Sequence, residues 1–137
     1  MPDPVLTVAN KDACLTGLTT ALGAMSKMIL FTNNISVSED TALADLTQPL
    51  SAGLATAKTV AAWSTPYEDP AGRFVVTGGS LTWIATGITT PAETIYGWAI
   101  LDMAGMVVQM TALLDKPVPI TEVGDGLTVT PTVPYGA

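Results

Sequence analysis

Histidine is absent from this sequence, cysteine occurs once, and five basic residues stand against twelve acidic ones. Each shortage excludes something. Without histidine the chain lacks the commonest general base and the commonest metal ligand, and neither a Ser-His-Asp nor a Cys-His arrangement exists. Cys14 has no second cysteine with which to form an internal disulfide or a thiolate zinc site, and it reads as a small buried apolar residue. Lys11, Lys27, Lys58, Arg73 and Lys116 are scattered singly through a chain of net charge −7. Phosphate backbones and anionic membrane surfaces are met by clustered cations. The expectation is therefore no nucleic-acid partner and no membrane partner.

Long hydrophobic runs are missing too. Nothing approaches the ~18 consecutive apolar residues of a membrane-spanning helix. The opening "MPDPVLTVANKDAC" is acidic and lacks a basic segment followed by an apolar one, so it does not read as a secretory signal. The chain reads as soluble and made in a cytoplasm.

The carboxylates offer little chemistry. Glu39-Asp40 and Glu68-Asp69 are adjacent in loops, whereas a two-carboxylate glycosidase needs its acids facing each other across a cleft. Asp102, and Asp125 between two glycines, have oxygens to offer a calcium ion. Neither shows the ligand spacing of a calcium loop, and turn chemistry accounts for both. The "TGGS" at 77–80 lacks the lysine and long helix of a phosphate cradle and reads as a bend between strands. Trp63, Trp83 and Trp98 lie in apolar runs and read as core rather than as a sugar-stacking face. No catalytic, cofactor or metal site is expected.

What is present is apolar: 48% of residues are hydrophobic and 12% are charged. Soluble proteins carry about twice that charged share. Such a chain hides part of its surface against copies of itself or a larger assembly. Its 137 residues suit one domain with a core of its own.

Proline at 2 and 4 makes residues 1–10 an extended arm, and 11–137 form the domain. Helical spacing of Cys14, Leu15, Leu18, Leu22 and Met25 predicts a short N-terminal helix over 11–26. "KMILFTNN" is a strand stopped by Asn33-Asn34, which tolerate turn and left-handed conformations. "EDTALADL" suits a single helical turn. A strand follows over "ATAKTVAAWSTPYED" until Pro66, then a "DPAG" turn and two short strands around Gly78-Gly79.

The clearest signal is "ETIYGWAILDMAGMVVQMTALLD", a hairpin with its glycine near the end of the turn. Tyr96, Trp98 and Ile100 share one face of its first strand, and Ile95, Gly97, Ala99 and Leu101 the other. Both faces are apolar, which places the hairpin inside a layered structure. "VPIT" and "LTVTPTV", flanking Gly124-Asp125-Gly126, read as a final pair of strands. The fold class is all-β, a β-sandwich or jelly roll with a short N-terminal helix and an extended N-terminal arm.

Four segments then carry a likeness. "LFTNN" (30–34), "TALADLTQP" (41–49), "ETIYGWAILDMAGMVV" (93–108) and "GDGLTVTP" (124–131) occur in that order. The pattern resembles small virion structural proteins of tailed bacteriophages, over residues 27 to 131. The stretch "LSAGLATAK" departs from it where a more aromatic Gly-Tyr segment is expected. The resemblance implies a capsid decoration, or cement, protein on the exterior of the virion head. Its partners would be the major capsid protein and its own copies, as a homotrimer. Contact candidates are Pro2, Pro4, Val5 and Leu6 of the arm, through strand addition, and Asn33 and Asn34 of the loop. Two other classes stay open: a tail or fibre component binding a host surface or glycan, and the self-assembling subunit of another β shell or filament.

Overall fold

The computed structural model describes residues 27–38, 40–60, 63–64, 67–72, 74–101 and 104–135. The expected arm over 1–10 and helix over 11–26 lie outside the described residues, as do Cys14 and Asp102. Within them the regular structure is almost entirely strand, in keeping with the all-β expectation. The strands are β1 (Lys27–Phe31), β2 (Lys58–Thr59), β3 (Tyr67–Glu68), β4 (Phe74–Thr77), β5 (Leu81–Ile84), β6 (Glu93–Leu101), β7 (Val108–Ile120), β8 (Gly126–Val129) and β9 (Thr132–Tyr135). One turn of 3-10 helix, Leu43–Asp45, sits where a helical turn is predicted.

A four-stranded antiparallel sheet runs β2-β1-β6-β7. β1 lies inside it, which explains its uninterrupted "MILF": side chains alternate between two faces and both are buried. Met28 and Leu30 point to one face, with Ile95, Trp98, Ile100 and Ile120. Ile29 and Phe31 point to the other, with Ala99 and Leu101.

The first face packs on a ribbon. β4 pairs with β9 and β5 with β8, and the break between the two pairs is bridged by the Gly78 amide donating to the Pro131 carbonyl at 2.9 Å. The "TGGS" bend is thus a kink along one long ribbon of β4-β5 against β9-β8, with the pairing slipped by one residue across it and the short β3 paired on the other side of β4. Trp83 and Val129 point from the ribbon into the core, beside Leu54 and Val60. Trp83 is fully buried, and its indole N–H donates to the Thr56 carbonyl at 3.1 Å. Burial of one such side chain contributes roughly 1.5–3 kcal/mol. The outer side of the ribbon is hydroxylic, with Thr82 against Thr128 at 2.8 Å.

Among the described residues no strand lies over the second face. Ile35, Val37, Leu43 and Leu46, from the irregular segment after β1, pack on Phe31, Ala99 and Leu101.

Four readings of the strands need correction. Ile95 shares a face with Trp98 and Ile100, and Tyr96 lies with Ala99 and Leu101, because pairing shifts between Ile95↔Val118 and Gly97↔Leu113 and breaks the alternation at Tyr96. "VPIT" is no separate strand: β7 continues through Pro117, and Val118 to Ile120 still pair with β6. "LTVTPTV" is split at Pro131 and pairs with β5 and β4 instead. Finally, of the strand expected from Ala55 to Pro66 the described residues show only the two of β2.

Candidate partner interface

The stop at Asn33-Asn34 has a structural cause. The Asn33 side-chain amide donates to the Asp45 carbonyl at 2.7 Å, and its oxygen accepts from the Thr47 amide at 2.8 Å. The Thr32 amide donates to the Thr47 carbonyl at 2.8 Å. Asn33 thereby satisfies one donor and one acceptor of a distant backbone segment, as a strand neighbour would, and closes the loop that covers the second face. The Asp45 carboxylate accepts the Ala42 amide at 2.9 Å and fixes the helical turn within that loop. Asn34 is exposed beside this clamp. Of the expected contact residues, Asn33 is committed to the loop and Asn34 faces solvent, while Pro2, Pro4, Val5 and Leu6 lie outside the described residues.

A second clamp holds the end of the same loop. The Glu93 carboxylate accepts the Leu50 amide at 2.6 Å, the Ser51 amide at 3.0 Å and the Ser51 hydroxyl at 2.6 Å. Partial burial pushes the Glu93 carboxyl up, but the Ser51 hydroxyl and the Leu50 and Ser51 amides outweigh it and hold it below the usual range. The clamp fixes the backbone while the Leu50 side chain stays 80% exposed. An open depression of about 450 Å³ borders it, lined in part by Thr32, Thr89, Pro91 and Tyr96.

Asp125 works in a comparable way at the β7–β8 turn. Its carboxylate accepts the Thr121 amide at 3.0 Å and the Glu122 amide at 3.2 Å, which hold it below the usual range. The Ala85 amide donates to the Asp125 carbonyl and the Gly124 amide to the Ala85 carbonyl, while the Thr86 amide donates to the Ala52 carbonyl. These bonds tie together the segments carrying Leu50, Ile84 and Val123, and all three side chains are exposed. Apolar groups held outward on a bonded frame are what a partner surface uses.

The remaining described polar candidates serve turns or face solvent, and Glu39 lies outside the described residues. Asp69 accepts the Ala71 amide on its carboxylate and the Gly72 amide on its carbonyl. Trp98 is buried like Trp83, and half-buried Trp63 has its indole nitrogen enclosed with no partner among the described residues. Among the described residues no three His, Cys, Asp or Glu side chains gather as a metal site, and no helix is long and apolar enough to cross a membrane. Comparison of the chain with protein-family models, curated proteins and solved structures finds no match.

The sequence reading missed Glu93, whose position at a strand start looks ordinary. Its only signal is an acid opening an otherwise uncharged strand.

Proposed function

We propose that this protein is a non-enzymatic virion component of a tailed bacteriophage, a decoration protein that binds the outside of the head and ties major-capsid subunits together. On this reading the all-β core is a jelly-roll-like sandwich. The observation that carries the proposal is that three of the four segments bearing the likeness are bonded or packed against one another. Asn33 of "LFTNN" is bonded to Asp45 and Thr47 of "ALADLTQP". Gly97 of "ETIYGWAIL" lies under Phe31, where a Cβ would collide with the ring. On this reading the likeness follows residues that support one another in the fold.

The chemistry agrees with the role. A cement protein works by buried surface, so it needs neither histidine nor a reactive cluster. The exposed Leu50, Ile84 and Val123 supply apolar contact area. Protein that binds only the mature head stabilises it by mass action.

The test is cosedimentation of the purified protein with mature and immature heads of the phage that encodes it, counting bound copies. Saturation on mature heads alone, at a number fixed by the lattice, is expected. Deleting residues 1–9 should lower occupancy if the arm adds a strand to the capsid. No binding to either head would move the protein to the tail or to another shell.

A further inference from the structure

The four-stranded sheet ends in two unlike edges. β2 offers two residues, whereas β7 offers thirteen, and no described strand lies beyond it. The C-terminal half of β7 carries Asp115, Lys116, Pro117 and Pro119. Charges and prolines are how natural sheets keep an edge from recruiting another strand. The half from Val108 to Leu114 carries neither. No described strand pairs with its outward amides and carbonyls.

The core is also unfinished along this half. Met110, Ala112 and Leu114 pack against the core but are half-buried, while Ile95, Trp98 and Ile100 on the adjoining β6 are buried. On the opposite face Leu113 is 44% exposed. An open depression of about 370 Å³ lies between Val37–Thr41 and the start of β7 and leaves room for added side chains.

We infer that two copies of this chain pair through the Val108–Leu114 edge, antiparallel about a twofold axis at Ala112, joining their sheets into one. The strand is complementary to itself in that register. Met110 falls opposite Leu114 of the second copy and Ala112 opposite Ala112, so the apolar face continues across the join. On the other face Thr111 falls opposite Leu113; the pairing is confined to the regular stretch between the shifts at Gln109 and beyond Leu113. On a chain of net charge −7 this register sets no like charge against another. The contact is isologous and closes as a dimer. It does not depend on head binding, so either proposal can fail alone.

Size-exclusion chromatography with light scattering on the full chain tests it. Thr111→Lys with Leu113→Lys sets lysine opposite lysine twice, and Thr111→Lys with Leu113→Glu sets lysine opposite glutamate twice at the same positions. The wild type should run as a dimer, the first variant should raise the dissociation constant at least ~10-fold, and the second should stay within ~3-fold of wild type. As a second measurement, Ala112→Cys in a Cys14→Ser background should give a covalent dimer with a short bismaleimide linker. A monomeric wild type, a trimer, a lysine–glutamate variant as dissociated as the lysine–lysine one, or no cross-link at position 112 would overturn the inference.

Discussion

The two faces of the four-stranded sheet are covered by unlike means. On one, Trp83, Leu54 and Val129 interlock with Met28, Trp98 and Ile100, and the cover is a paired ribbon with its own ladder of hydrogen bonds. On the other, a segment without strands is laid over Phe31, Ala99 and Leu101 and held by the amide of Asn33 and the carboxylate of Glu93. The first cover rests mainly on apolar burial and the second on a few polar clamps. The difference teaches where change is tolerated. The ribbon fails when volume is lost, whereas the loop fails when one side chain loses its hydrogen bonds.

The comparison can be broken most severely on the ribbon side. Trp83→Ala should remove roughly 3–5 kcal/mol of stability, read as a lower denaturant midpoint. Next comes the seam between the faces. Gly97→Ala places a methyl against the Phe31 ring and the Ala112 carbonyl and should cost roughly 1–3 kcal/mol by overpacking. Phe31→Leu in the same chain should recover part of that loss, and a thermal melt of the pair measures how much.

On the loop side the effects shrink. Asn33→Ala leaves the Asp45 carbonyl and the Thr47 amide without their partner and should cost about 1–2 kcal/mol, with global unfolding still a single transition. Glu93 gives the smallest effect and a pH signature. Its folded carboxyl is held below the usual range, so its contribution is present above the unfolded value and is lost as pH falls through the folded value. Solvent screening keeps this below about 1 kcal/mol. Glu93→Gln should flatten that part of the acid limb in pH-dependent denaturation.

How much of this was legible in the sequence depends on the range of the interaction. The β6–β7 hairpin announces itself through alternation and Gly105, and the stop of β1 through Asn33-Asn34, because both signals are local. The work of Asn33 is not local, since its partners lie 12 and 14 residues on and nothing in "ADLT" names them. The Glu93 clamp spans 42 and 43 residues and is hidden for the same reason. The continuity of β7 with "VPIT" is hidden because two charges and a proline, Asp115, Lys116 and Pro117, lie between them, although an edge strand accommodates all three. Face assignment failed at Tyr96 because alternation cannot report a bulge. β2 was overcalled because small residues around Lys58 imitate a strand without side chains large enough to hold one.

Amide hydrogen exchange on wild type and Asn33→Ala tests the account most directly. It predicts that protection falls together at Thr32 and across 41–47, while Trp83, Leu127 and their ribbon neighbours keep wild-type rates. A loss spread evenly over both faces, or none in the loop, would contradict a cover held separately by Asn33.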